Sequence, residues 1–191
     1  MENKILFIFD LDGTLFDTSA RAVIKNRMLN SVRYIDQDHL EEPLQLELFE
    51  EMSFAEFRSA EKFANESVPK KNVVQQLQGN ISKHPTSKTI LLTARADLDC
   101  KETFLNSLTK QGLNMSKIYV ERAGNIEQPT PIAKKSIIKK YLDQNFYTMV
   151  KMYDDQNKNL KAFLDLELEY KNTAFKAKLV NKNGSMRTYH G

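Results

Sequence analysis

The chain has 191 residues, which is enough for one buried core with a modest insertion and too few for two ordinary domains. Hydrophobic residues make up 41% and charged residues 28% of it, a balance that excludes disordered, collagen-like and membrane-embedded classes. The formal net charge of +3 is too small by itself to indicate nucleic-acid binding.

The first apolar run covers residues 5–9 and is far shorter than the roughly 20 residues that cross a bilayer. Asp10 ends this run before the core of a signal peptide could form. The single cysteine, Cys100, has no partner for an internal disulfide, which favours a reducing compartment. We therefore predict a cytoplasmic protein with no membrane segment.

Short β-favouring runs recur along the chain. The first, residues 4–9, is continuously apolar and typical of a strand buried on both faces of a parallel sheet. Four more follow at 89–92, 117–120, 148–153 and 174–180. Segments with helical spacing separate several of these runs, at 98–111 and at 132–142. Asp97 or Asp99 could cap the start of the first helix, and Gly112 could end it. The alternation predicts a three-layer α/β fold with a Rossmann-like parallel sheet.

Residues 18–88 interrupt this alternation, because they show amphipathic helical spacing and no convincing strand. The predicted helices cover 20–32, 44–52, 54–63 and 73–77, with breaks at Pro43 and Pro69. We predict a small cap-like helical insertion after the first strand, within a single domain over 1–191. Near the other end, Asn183-Gly184 predicts the turn of a hairpin within 174–190.

The charges are segregated along the chain. Residues 36–56 contain eight acidic residues and no Lys or Arg, so the predicted insertion carries the whole acidic run. Residues 171–191 contain five basic residues and no acid. Runs of this kind are usually solvated faces, although the basic one could also meet an anionic substrate.

Two carboxylates, Asp10 and Asp12, follow the first predicted strand, where ligand sites of open α/β sheets lie. Their spacing lets both side chains project to the same side, and Gly13 permits a sharp turn. An ordinary polar turn is the alternative, but the position of the pair directly after an apolar strand favours a functional site. A calcium loop fails on spacing, because Leu15 stands where the loop needs glycine.

Four motifs together give the chain its resemblance to a known family. Residues 9–15 read Phe-Asp-Leu-Asp-Gly-Thr-Leu, and residues 90–95 read Ile-Leu-Leu-Thr-Ala-Arg. A lysine pair, Lys134 and Lys135, stands near the start of a predicted helix, and a strand ends in Asp154-Asp155. In this order the motifs resemble those of the haloacid dehalogenase superfamily of phosphohydrolases.

The resemblance implies that Asp10 attacks phosphorus and forms an aspartyl-phosphate, while Asp12 first protonates the leaving oxygen and then activates water. It also implies a Mg²⁺ ion on Asp10, the backbone carbonyl of Asp12, and Asp155, with Asp154 as the second choice. Thr93 and a lysine would bind the phosphoryl oxygens. We favour Lys135 as that lysine, and Lys134 stays an alternative.

Fewer residues of the sequence indicate the substrate than indicate the reaction. Arg95 and Arg122 follow predicted strands and could bind a second phosphate or a base, and Thr14 offers a hydroxyl and an amide. The insertion before the second motif resembles the 3′-phosphatase domain of polynucleotide kinase. We expect a nucleotide or a nucleic-acid terminal phosphate as the substrate, at a relatively open site. A small-metabolite phosphatase is one alternative, and a catalytically silent module that binds a phosphorylated ligand or a protein is another.

Overall fold

The computed structural model describes residues 4–36, 39–40 and 45–191. Its strands are β1 Ile5–Phe9, β2 Phe16–Asp17, β3 Ala22–Asn26, β4 Ser31–Ile35, β5 Glu50–Ser53, β6 Val68–Pro69, β7 Lys88–Thr93, β8 Ile118–Arg122, β9 Met149–Asp154, β10 Ala174–Val180 and β11 Met186–Tyr189. Its α-helices are α1 Ala55–Arg58, α2 Ala60–Glu66, α3 Lys71–Lys83, α4 Lys101–Lys110, α5 Thr130–Leu142 and α6 Asn157–Leu164.

The centre of the fold is a six-stranded sheet in the order β11-β10-β9-β1-β7-β8. Every neighbouring pair in it is parallel except β10 and β11, which form the predicted antiparallel hairpin. Gly184 has a φ of +78° in that turn, a conformation that glycine adopts without steric cost. The five strands predicted outside the insertion are confirmed.

Helices pack on both faces of the sheet, because β1 is apolar and buried along its whole length. Phe7 and Phe9 face a core that contains α2, α3 and α4, while Leu6 and Ile8 face a second core that contains α5 and α6. The result is a mixed α/β fold with a mostly parallel central sheet, compatible with a Rossmann-like arrangement. No helix in the described part of the chain is long and apolar enough to span a membrane.

Both helices predicted between the later strands are present, but the capping prediction for the first is wrong. α4 begins after Cys100, whose side chain makes no capping hydrogen bond. The Asp99 carboxylate instead accepts a hydrogen bond from the backbone N–H of Ala60 at 2.8 Å, which ties α2 to the main domain. Gly112, at a φ of +96°, follows the end of α4 as predicted.

The prediction of an all-helical insertion is wrong, because residues 20–32 contain β3 and the start of β4 where the sequence spacing predicts a helix. β3 pairs with β4 and β5 in an antiparallel sheet of three strands. Ala22, Ile24 and Asn26 are buried in alternation, which is strand periodicity that a short window does not distinguish from a helical stripe. The side chain of Asn26 accepts two backbone hydrogen bonds from the following turn and so stabilises the hairpin.

The predicted helix at 44–52 is also wrong over its described part. Phe49 has a φ of +69°, which a helix does not allow, and β5 starts directly after it. The helices predicted at 54–63 and 73–77 are confirmed as α1, α2 and α3, and the break at Pro69 lies in the short β2–β6 pairing. The remaining predictions here fall on Asp38, Glu41, Glu42, Pro43 and Leu44, which lie outside the described residues.

Candidate active site

Polar residues converge at one edge of the central sheet because three apolar strands end there. Asp10 follows β1, Asp154 ends β9 and Thr93 ends β7, and β1 lies between the other two strands. The carboxyl ends of parallel strands meet at the same edge, so these side chains are neighbours. The backbone N–H of Asp10 donates to the carbonyl of Tyr153 at 2.9 Å and continues the sheet up to the site.

A buried lysine joins two of these carboxylates. The Nζ atom of Lys134 lies 2.6 Å from Oδ1 of Asp10 and 2.8 Å from Oδ2 of Asp154. All three residues are at most 5% exposed. Burial alone lowers the pKa of Lys134, but Asp10 and Asp154 raise it above its ordinary value, so the lysine stays charged.

The structure corrects the choice between the two adjacent lysines. Lys135 is partly exposed, and its Nζ lies 3.8 Å from a carboxylate oxygen of Glu169, away from Asp10. Residues three and four apart share a helix face, and Lys134 shares the buried face of Ile137 and Ile138. That spacing is the sequence signal that identifies Lys134.

Asp10, Asp154 and Asp155 form a cluster in which each offers an oxygen within 4.8 Å of the others. Burial raises the pKa of Asp10 well above its ordinary value; Lys134 opposes this, and Asp154 and Asp155 add to it. Burial and the charge of Asp154 raise the pKa of Asp155 to about 6. Negative charge is therefore crowded at a site made of hard oxygen donors, the type that binds Mg²⁺.

Two residues of the loop after β1 position Asp155. The hydroxyl of Thr14 donates to Oδ1 of Asp155 at 3.0 Å, and Thr14 is fully buried. Gly13 has a φ of +73°, and a Cβ atom there would lie 2.3 Å from Oδ2 of Asp155. The hydroxyl of Thr14, predicted to bind substrate, thus orients a carboxylate instead.

Three residues contact the carboxylate of Asp154. Besides the ion pair with Lys134, it accepts hydrogen bonds from the backbone N–H of Gln156 at 2.9 Å and from Nδ2 of Asn159 at 3.0 and 3.2 Å. The Oδ1 atom of Asn159 is buried with no partner among the described residues, and its side chain lines a cavity above the site.

Asp12 is bound by Arg95. The Nε atom of Arg95 lies 2.9 Å from Oδ2 of Asp12, and its Nη2 lies 2.6 Å from Oδ1. The hydroxyls of Thr18 and Thr93 also donate to this carboxylate, at 2.8 and 3.5 Å. The third guanidinium nitrogen, Nη1, donates to the backbone carbonyl of Phe57 at 2.8 Å. Arg95 therefore lies in the site as predicted, but it links Asp12 to the insertion.

Arg122, predicted to bind substrate, does not line the cavity above the site. Its Nε atom lies 3.1 Å from Oδ1 of Asp97, and its guanidinium lies 5.5 Å from the ring centre of Phe104. β8 is an outermost strand of the sheet and is separated from β1 by β7. The carboxyl end of β8 is therefore one strand further from Asp10 than that of β7.

A cavity of about 500 Å³ lies above the sheet edge, and the insertion forms one of its walls. The insertion contributes four large apolar side chains, those of Leu40, Met52, Phe54 and Phe57. None of the described acidic residues of 36–56 lines this cavity, but Asp36 lines a second groove that also contains Gly13 and Asp155. The small insertion thus covers the site with apolar groups.

Lys70 was not identified from the sequence. Its Nζ atom lies 2.6 Å from the carbonyl oxygen of Gly13, 3.3 Å from that of Asn181 and 3.2 Å from Oδ1 of Asp17. The residue is buried and fixes the loop that follows β1. No local pattern indicates this role, because it depends on the long-range pairing of β2 with β6.

The chain matches no protein-family model, and comparison with curated proteins finds no significant similarity. The function is therefore argued from the residues at the sheet edge.

Proposed function

We propose that the protein is a Mg²⁺-dependent phosphomonoester hydrolase of the haloacid dehalogenase type that acts through an aspartyl-phosphate on Asp10. The observation that carries this proposal is the buried cluster of Asp10, Asp154 and Asp155 beside Lys134. It combines a nucleophile, a set of cation ligands and a fixed positive charge. Phosphoryl transfer needs little more, because its catalysis is mainly positioning and stabilisation of negative charge.

The donor set fits a divalent cation. Asp10, Asp154 and Asp155 would hold Mg²⁺, with the backbone carbonyl of Asp12 as a further ligand by resemblance. The site contains four carboxylates, those of Asp10, Asp12, Asp154 and Asp155, and two cations, Lys134 and Arg95. One divalent ion would balance the remaining two negative charges. When bound, Mg²⁺ would neutralise charge on the phosphoryl oxygens and on the carboxylates.

The reaction takes two steps on the protein side. In the first, a carboxylate oxygen of Asp10 bonds to phosphorus, the ester P–O bond breaks, and Asp12 gives a proton to the leaving oxygen. In the second, Asp12 takes a proton from a water molecule, whose oxygen attacks phosphorus and releases phosphate from Asp10. The Lys134 ammonium and the Thr93 hydroxyl stabilise the charge on the transferring oxygens.

The contact between Arg95 and Asp12 imposes a structural condition on this reaction. Arg95 donates to both oxygens of Asp12, so Asp12 can carry the proton for the leaving group only if Arg95 releases one of them. Arg95 also holds the carbonyl of Phe57 in the insertion. The protonation of Asp12 and the position of the insertion are therefore linked.

The cavity favours an ester whose leaving group is apolar and planar. Phe54 and Phe57, with ring centres 6.1 Å apart, both line it and offer surfaces on which a nucleobase can stack. This favours a nucleotide or a nucleic-acid terminal phosphate over a sugar phosphate. The exposed, unpaired Cys100 suits a reducing compartment, and we place the activity in the cytoplasm.

The proposal is tested with p-nitrophenyl phosphate and a panel of nucleoside 5′- and 3′-monophosphates, sugar phosphates and 3′-phosphorylated oligonucleotides. The protein is treated with EDTA and assayed with and without added Mg²⁺. We expect Mg²⁺-dependent hydrolysis that Asp10→Asn lowers about a thousandfold or more, since this change removes the nucleophile. Asp165→Asn, a matched change at an exposed position, leaves turnover unchanged.

Full turnover by Asp10→Asn would remove Asp10 as the nucleophile. Hydrolysis of none of these esters by the wild-type protein with Mg²⁺, together with tight binding of a phosphorylated ligand, would favour the silent module.

A further inference from the structure

Three lysines lie together on one face of the central sheet, outside the candidate active site. Lys151 on β9 and Lys176 on β10 are directly in register, and Lys178 is two residues further along β10 on the same side. Neighbouring strands are about 4.8 Å apart, and residues two apart in a strand are separated by about 7 Å. We call these three residues the lysine face.

The lysine face is not neutralised within the described part of the chain, where no carboxylate oxygen lies within 4 Å of any of the three ammonium groups. Lys62 and Lys139, in contrast, pair with glutamates. The only polar side-chain contact of Lys178 given by the structure is a donated hydrogen bond to the Thr188 hydroxyl at 2.8 Å.

This arrangement costs folding stability. Like charges directly opposite each other on neighbouring strands repel. Burial, together with the charges of Lys176 and Lys178, lowers the pKa of Lys151. A bound polyanion would remove this repulsion, which gives the arrangement a physical reason.

The lysine face leads to the active site. β9 and β10 are parallel, and Lys178 is in register with Tyr153, the residue before Asp154. The end of β10 and the two residues after it, together 179–182, line a groove of about 1040 Å³ that also contains Gly13. Four cationic residues and three carboxylates line this groove, namely Arg21, Lys70, Lys158 and Lys182, and Asp17, Asp36 and Asp155. Gln156 and Lys158 line both this groove and the cavity under the insertion, so the site opens on two sides.

We propose that the groove and the lysine face bind the backbone of a single nucleic-acid strand whose terminal phosphate is placed at Asp10. This inference rests on the proposed hydrolase function and narrows its substrate from free nucleotides to strand ends. A mononucleotide has no further phosphates that could extend beyond the groove. A polymer has them, and the lysines then bind its backbone without reading its sequence.

The surface around the lysines favours a nucleic-acid backbone over a membrane. On this side of the sheet the exposed neighbours in β10 and β11 are Ala174 and Thr188, which are small, while Met149 and Met186 are partly buried and pack against the core. Binding at a bilayer surface normally adds large apolar side chains that insert between lipids. Here the attraction is electrostatic, which suits phosphates along a strand.

The test compares Lys176→Gln/Lys178→Gln with Lys140→Gln/Lys161→Gln, which removes the same charge from exposed positions on α5 and α6, across the sheet. A phosphorylated 12-nucleotide strand and p-nitrophenyl phosphate serve as substrates, and a fluorescent 12-mer measures binding by anisotropy. We expect the first variant to raise KM for the 12-mer and weaken its binding about tenfold at low salt. Its kinetics with p-nitrophenyl phosphate stay unchanged, and so does everything measured for the second variant.

The salt dependence gives a second readout. The slope of log Kd against log salt concentration should fall by about 1.4 in the first variant, from the loss of two single-strand phosphate contacts. An equal loss in both double variants, or no loss in either, overturns the proposal. Binding to anionic lipid vesicles or to an acidic peptide, but not to the 12-mer, overturns it as well.

The outcomes also separate this proposal from the function on which it rests. Lysine-dependent binding of the 12-mer without hydrolysis of any ester supports the lysine face and contradicts the hydrolase. The opposite result is hydrolysis of p-nitrophenyl phosphate together with an affinity for the 12-mer that Lys176→Gln/Lys178→Gln does not change. It supports the hydrolase and contradicts the role of the lysine face.

Discussion

The edge of the central sheet and the insertion that covers it are built differently. At the sheet edge, Asp10 and Asp154 are buried, and each makes a short contact to the buried ammonium group of Lys134. The part of the insertion above this edge presents the Phe57 carbonyl, which accepts from Arg95, and apolar side chains. Polar side-chain contacts of the insertion come from Thr18, near its start, and from Lys70, directly before α3, which donate to Asp12 and to the carbonyl of Gly13. The outer surface of the insertion exposes large apolar residues, namely Met28, Leu29, Val32, Tyr34, Leu48 and Phe49.

This difference indicates a division of labour. A buried charge network tolerates little change, because removing one partner leaves an uncompensated charge in a poorly solvated place. An apolar wall can change side chains at smaller cost, because its contacts are not directional. We infer that the sheet edge determines the chemistry and the insertion determines the leaving group.

The largest effect is expected from Lys134→Met. This change leaves Asp10 and Asp154 without their shared cation, so it should lower the free energy of unfolding by about 3–5 kcal/mol and lower kcat at least about a hundredfold. Lys135→Met is the matched control and should change both by little, because its ion pair with Glu169 is partly exposed. Urea unfolding and steady-state kinetics measure both. The reverse ranking of the two variants would return the role to Lys135.

Arg95→Met comes next. It removes the cation beside Asp12 and the link to Phe57, and we expect kcat to fall about a hundredfold. Arg95→Lys keeps the charge but loses the paired geometry, so it should give an intermediate rate. Arg122→Met should change kcat/KM by less than about threefold, since it lies outside the cavity lining. Equal losses in Arg95→Met and Arg122→Met would contradict the assigned roles.

Gly13→Ala tests how closely the loop after β1 approaches Asp155, a proposed cation ligand. The new Cβ would meet Asp155 while φ is +73°, so we expect about 1–3 kcal/mol lower stability and a higher Mg²⁺ requirement for hydrolysis. Gly79→Ala is the control. A Cβ there meets nothing within 4 Å, and alanine favours the helix, so stability should rise by up to about 1 kcal/mol. An unchanged Mg²⁺ requirement in Gly13→Ala would show that the loop does not position Asp155.

The central sheet can be predicted from the sequence more completely than the insertion can. β1 is apolar along its whole length, so its assignment and the place of Asp10 follow from the sequence alone. β3 is short and only half buried, so local spacing does not distinguish it from a helix, and its pairing with β4 and β5 decides its structure. The contacts of Lys70 and Arg95 join residues far apart in the chain, and no local pattern encodes them.

The smallest predicted effect concerns the insertion. Phe57→Ala removes one aromatic surface from the cavity wall, so KM for nucleoside monophosphates should rise about tenfold while kcat stays within about twofold. KM for sugar phosphates should stay the same. Phe146→Ala, at an exposed ring outside the cavity, is the control. A fall in kcat with unchanged KM would assign the insertion to the chemical step and contradict the division of labour.

The aspartyl-phosphate itself is the most direct test of the central claim. Asp12→Asn should accumulate it from p-nitrophenyl phosphate with Mg²⁺, because this leaving group needs no proton whereas the attacking water must lose one. After acid quench, borohydride reduction should convert the phosphorylated residue to homoserine. Mass spectrometry of the peptide covering residues 5–21 should place homoserine at position 10. Homoserine at any other position, or an unmodified peptide from a protein that turns over, would contradict the claim.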